Sequence, residues 1–280
     1  MRSARVLDMM NDLEKNLHQP VMDVLGPEMG EHWRSRTRPA FALTPRKGDG
    51  PVVGHVHSEP SLPADMPWPE REGYGPMSHL ATIDLAALPR GVLDFDLPED
   101  GTLLFFRWSF ADCANHEDSY FISGHSTDRG AGCKVVYLPG STETARRSAP
   151  QGDLGGFGVP GPLRLAGIFA SRVCWDITKA EYPLLPEDRK RRLAGAFDEW
   201  EAEGFNTQIG GHPDPVQGPS VENAPRGDLR GPHGPQPGEE VMIMLATIYD
   251  ANDDVHTYWF IRPEHLKQHR FDDVYYDYQC

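Results

Sequence analysis

Histidines and carboxylates near two proline turns offer the first candidate chemistry. His55, His57 and Glu59 alternate along a stretch that reads as extended, so their side chains would share one face. Imidazole nitrogens and a carboxylate are ligands for zinc or another divalent metal. His212 and Asp214 lie in a second proline-bounded stretch and would complete the set if the two stretches meet. A metal-dependent enzyme, hydrolase-like, would then use His55, His57, Glu59 and His212 around a metal-activated water. The plainer reading is a surface loop in a chain with 12 histidines. A second possible zinc set is Cys113, His116, His125 and Cys133, flanking a polar stretch between two predicted strands. Cys-x2-His is acceptable spacing for a ligand pair, but the pattern matches no standard finger, and buried thiols also serve as small core residues.

Other motifs carry less. His265 and His269 stand at i, i+4 on a short predicted helix, yet His-Leu-Lys-Gln-His lacks the glutamate of a metalloprotease helix. Ser123 lies near His125 without a nucleophile elbow around it. The stretch from Gly152 to Gly158 is glycine-rich but has no Gly-Lys-Ser/Thr to hold a phosphate. Trp68, between Pro67 and Pro69, is a rigid aromatic that either anchors a partner or plugs its own core. Cys280 is the last residue, and its thiol is expected to be exposed.

Charge and composition narrow the partners. A formal net charge of −15 opposes binding to nucleic acid or to an anionic membrane and favours a basic protein partner. No apolar run approaches the ~18 residues of a membrane span. Met1-Arg2-Ser3 leads into a charged helix, so the sequence predicts a cytoplasmic protein without a secretory signal. Four cysteines without a CxxC pair make no disulfide framework. With 28 glycines and 26 prolines, about a fifth of the chain, the composition argues against a helical bundle or coiled coil.

The elements that must position these residues follow from periodicity. Val6, Leu7, Met10, Leu13 and Leu17 predict an N-terminal amphipathic helix limited by Pro20. Residues 38–45 read as a short strand, and residues 48–76 as a turn-rich path fixed by Pro60, Pro63, Pro67 and Pro69. Further strands are expected over 79–85, 102–110, 134–138 and 163–175. The second of these, 102–110, lacks strict alternation and suits burial on both faces. Pro186 opens a helix, residues 213–238 form a long loop, and 241–249 with 256–261 read as a hairpin. Pro263 starts a last short helix.

Leu80-Ala81-Thr82-Ile83 recurs as Leu245-Ala246-Thr247-Ile248, each downstream of a proline turn, Pro60 and Pro213. With Arg38-Pro39, Leu43 to Arg46, Pro60 to Pro63, Trp68-Pro69, Gly101 to Phe106, Gln208 to Gly211, Pro213, Gln217 and Tyr258 to Ile261, the chain resembles the YwqG-like family, a bacterial domain of unknown function. That resemblance, covering residues 38–275, implies a duplicated α+β fold and no agreed activity. Where the family carries a Gly-Gly pair before the first proline turn, this chain has His57 and Ser58; the second copy keeps Gly210 and Gly211. The expected architecture is therefore α+β: two duplicated sheet-rich halves about a pseudo-twofold, an N-terminal helix, and a helix between the halves. The expected segments are 1–37, 38–185 and 186–280, in one continuous body. The expected role is a non-enzymatic binding or interaction protein, one form of which is immunity-type neutralisation of a basic toxin. Its protein partner or small ligand would sit where the proline loops meet, among His55, His57, Glu59, Trp68, Gly210, Gly211, His212, Asp214 and Gln217.

Overall fold

The computed structural model describes residues 7–8, 10–11, 14–35, 37–45, 49–73, 75–108, 132–150, 161–171, 186–201, 207–213, 242–250 and 255–279. After a π-helical turn at Glu14–His18 come helices α1 (Gln19–Leu25) and α2 (Pro27–Ser35). Pro20 does not end a helix as the sequence reading had it. It sits in the first turn of α1, where a missing N–H removes no intrahelical bond. Gly26 at φ 83° makes the break, its N–H closing on Met22 O at 2.8 Å.

The strands are β1 (Arg38–Thr44), β2 (Val52–Val56), β3 (Ser61–Leu62), β4 (Glu70–Arg71), β5 (Gly75–Pro76), β6 (Ser78–Asp84), β7 (Thr102–Arg107), β8 (Cys133–Leu138), β9 (Ala145–Arg146), β10 (Gly161–Ser171), β11 (Thr207–Gly210), β12 (Ile243–Asp250), β13 (Val255–Ile261) and β14 (Val274–Gln279). Helix α3 (Glu187–Glu201) precedes β11, and the short α4 (Pro263–Lys267) lies between β13 and β14. Ten strands form one sheet in the order β14-β13-β12-β11-β1-β10-β2-β6-β7-β8. Every neighbouring pair is antiparallel. Two small pairs, β3 with β9 and β4 with β5, stand apart from it.

This sheet curls until its first and last strands meet. A Cβ on Gly132, just before β8, would lie 2.1 Å from the Tyr276 hydroxyl on β14, so only glycine fits that approach. Further along β8, the Tyr137 ring stands 5.5 Å from both Phe271 and His269. Inside the curl, Phe41, Leu43, Leu103, Phe105, Ile209, Ile248, Trp259 and Phe271 form one core, with Phe105 and Trp259 in contact across it at 5.1 Å. Leu104, Phe106, Val136 and Leu138 point outward and are covered by Leu62, Trp68 and Met77. β7 is thus buried on both faces, as its unbroken apolar run predicts.

The expected fold class is corrected. Among the described residues strand exceeds helix, 41% to 24%. The strands form one nearly closed antiparallel sheet, barrel-like, in place of duplicated halves with an N-terminal helix. β1 shows why: it pairs with β10 on one side and β11 on the other, joining strands from both expected halves. The repeated Leu-Ala-Thr-Ile survives only as a local pairing. Thr82 stands opposite His55 and Ala81 opposite Val56; Thr247 stands opposite Gln208 and Ala246 opposite Ile209.

Candidate functional site

β2 ends at Val56 because His57 leaves the extended region, at φ 50°. The corresponding residue, the last of β11, is Gly210, at φ 76°. A side chain there would meet Leu93 at 2.8 Å and Pro39 O at 3.3 Å, so Gly210 is held to glycine twice over, by conformation and by contact. His57 takes the same backbone turn with an imidazole attached and half-buried, at a cost in strain that glycine would not incur.

Beside this turn lies His79, a polar residue only 8% exposed. Its Nδ1 is 2.7 Å from Ser58 O, which can only accept, so Nδ1 carries the proton. Nε2 is then an acceptor, and the Thr82 hydroxyl donates to it at 2.8 Å. Burial lowers the His79 pKa to about 4, the neighbouring His57 pushes the same way, and the main-chain hydrogen bonds to Ser58 and Ala81 resist only in part. The ring packs on the edge of Phe106 at 5.2 Å. The order Thr82, His79, Ser58 O has the connectivity of a hydroxyl nucleophile, a base and its orienting group. With its basicity so reduced, His79 is a poor base at neutral pH, and the chain of bonds acts as a latch tying the turn to β6.

The remaining predicted residues scatter. His55 is exposed on β2, and Glu59 is exposed and accepts from the Ser148 hydroxyl. Their alternation with His57 does not hold, since the positive φ turns the chain after Val56. Trp68 is buried, donates from Nε1 to Met77 O at 2.9 Å and meets Phe106 edge-on. Gly211 and His212 continue the second turn, where the Gln208 amide donates to Gly210 O and His212 O at 3.1 and 2.9 Å. β2 and β11 are separated by β10 and β1, so they run in opposite directions. Their turns leave the sheet at opposite ends, and His212 does not join His55 and His57. Among the described residues no group of three His, Cys, Asp or Glu side chains could hold a metal ion. Cys133 is buried at the start of β8; Cys113, His116, His125, Asp214, Gln217 and Cys280 lie outside the described residues.

The sequence reading missed His79, taking 79–85 as simply apolar. Its signal was a histidine three residues before a threonine, at the position that Met244 takes before Thr247 in the second copy, where the hydroxyl donates to sulfur at 3.3 Å. Also missed was the end of the barrel carrying residues 84–100. Asp84, Asp94, Asp96, Glu99 and Asp100 are all exposed there. Arg38 binds Asp94 through Nε and Nη2, at 2.7 and 3.3 Å, and Arg90 is held by the carbonyls of Leu85, Pro98 and Glu99.

Fold and turns together define an antiparallel sheet closed almost into a barrel, with a latched turn at one end and an acidic rim at the other. A family model described as a domain of unknown function (DUF1963) matches residues 58–280, and the chain belongs to that family. No curated protein matches it. No helix among the described residues is long and apolar enough to cross a membrane.

Proposed function

We propose that this is a binding protein whose partner is a basic protein engaging the acidic rim at residues 84–100. The carrying observation is the uncompensated charge there. Among the described residues, Asp84, Asp96, Glu99 and Asp100 enter no ion pair, and the Arg90 charge faces main-chain carbonyls. The chain's net charge of −15 extends that field and would speed a basic partner's approach. Resemblance to the YwqG-like family fits this reading, since it implies no activity, and neutralising a basic toxin is one form the role would take.

The test is capture on immobilised protein at about 50 and 500 mM salt, wild type against Asp96→Lys/Glu99→Lys. A basic protein held at low salt by wild type, released at high salt and not held by the variant supports the proposal. Capture indifferent to the charge reversal overturns it.

A further inference from the structure

Polar side chains collect inside the barrel at the end opposite the acidic rim. Along β7 the inward residues are Leu103, Phe105 and, by alternation, Arg107; along β13 they are Ile261, Trp259 and Thr257. Phe105 and Trp259 touch across the core. The two strands run oppositely, so Arg107 and Thr257 stand on facing walls one layer beyond that contact. Ser78 lies directly opposite Arg107 on β6 and faces the same way. Arg107 is 2% exposed, Ser78 3%, and Thr257 and Trp259 0%. Ser78 Oγ, Thr257 Oγ1 and Trp259 Nε1 are buried with no hydrogen-bond partner. A buried polar atom without a partner is costly, and three in two adjoining layers, Trp259 in the contact and Ser78 and Thr257 beyond it, are more than packing accident accounts for.

Their chemistry has one sense. An indole N–H and a guanidinium only donate, and the two hydroxyls rotate to donate. A guanidinium has five N–H groups, so Arg107 contributes charge and donors to this layer whatever else it touches. We infer that this layer is a binding site for a small carboxylate, its oxygens accepting from Trp259 Nε1, Thr257 and Ser78 beside the Arg107 charge. The net negative charge of the chain does not oppose this, because the site is lined by donors and screened from the surface acids by the barrel wall. Such a buried polar layer, set over the apolar contact of Phe105 with Trp259, combines apolar walls with a few donors, the usual make-up of a small-molecule site.

The probes are formate and acetate, with chloride at equal ionic strength as the control. The reporter is the Trp259 indole N–H resonance, assigned by its disappearance in Trp259→Phe. Acetate or formate should move that resonance saturably, and Thr257→Val or Ser78→Ala should weaken the response about tenfold, the loss expected for one hydrogen bond to a charged group. If Trp259→Phe does not fold, the shape-conserving Thr257→Val serves alone: about tenfold more acetate should be needed to give it the midpoint rise over chloride that wild type shows. An indole resonance and midpoint unmoved by both carboxylates, or moved equally by chloride, overturns the site. Neither result bears on the acidic rim, whose test is capture at the other end of the barrel.

Discussion

Acid should weaken this protein through His79 before its carboxylates protonate. Unfolded, the imidazole titrates near its ordinary 6.5; folded, burial holds it neutral down to about 4. Between those values the unfolded chain carries one proton that the native state refuses. Unfolding free energy therefore falls as pH falls, by about 1.4 kcal/mol per pH unit, with the full stability present above 6.5. From pH 7.5 to 5.0 the loss from this group is about 2 kcal/mol, rising to about 3 kcal/mol by pH 4. The chain has 12 histidines, so the informative quantity is a difference between proteins that share all but His79. Urea unfolding of wild type and His79→Gln at pH 7.5, 6.5, 5.5 and 5.0 isolates it. The variant starts less stable at pH 7.5, having lost the bonds to Ser58 O and Thr82, but its curve should be flatter by about 2 kcal/mol over the range. Parallel pH profiles for the two proteins would refute the reasoning, as would an NMR titration placing the native His79 midpoint above 6.

Three further outcomes follow from the backbone and the seam. His57→Gly relieves a left-handed residue and should raise unfolding free energy by roughly 0.5–1 kcal/mol in urea titration; a loss would show that the imidazole packs better than its strain costs. Gly210→Ala, at the matching turn, should instead lower it by about 2 kcal/mol or more, because Leu93 and Pro39 O leave no room. Gly132→Ala should destabilise by about 2 kcal/mol by pressing on the Tyr276 hydroxyl, and adding Tyr276→Phe should restore part of that in a double-mutant cycle; additive losses would mean the two residues do not meet.

Strands with long apolar runs were legible in the sequence. Residues 102–107, 133–138, 243–250 and 255–261 fall where hydrophobic patterning puts them, and α3 begins just past Pro186 as expected. β2 was not legible, because Val52-Val53-Gly54-His55-Val56 sits in a stretch dense in proline and glycine. Gly54 is there for a close crossing: a Cβ would lie 2.1 Å from Thr82 O. Pairing order was hidden too. Nothing local in Arg38–Thr44 announces partners on β10 and β11, since such partners are fixed by the closing of the whole sheet. The site fared likewise. A proline turn advertised His57, but the latch depends on a β-bulge between His79 and Ala81 that re-aims one side chain, and bulges leave little trace in a single sequence.

The central position of β1 sets the timetable of folding. β6, β7 and β8 form a meander whose members adjoin in order, and β2 adds to its flank, so this part can assemble from contacts of modest sequence separation. β1 is made before any of them, yet both its neighbours come after residue 160. At about 10 residues per second on the ribosome, Phe41 and Leu43 wait on the order of ten seconds before β10 emerges, and β11 follows later still. A nascent chain stalled short of residue 161 should therefore present β1 as an unpaired apolar strand, open to chaperones or to a second nascent chain, while the meander beyond it is already folded.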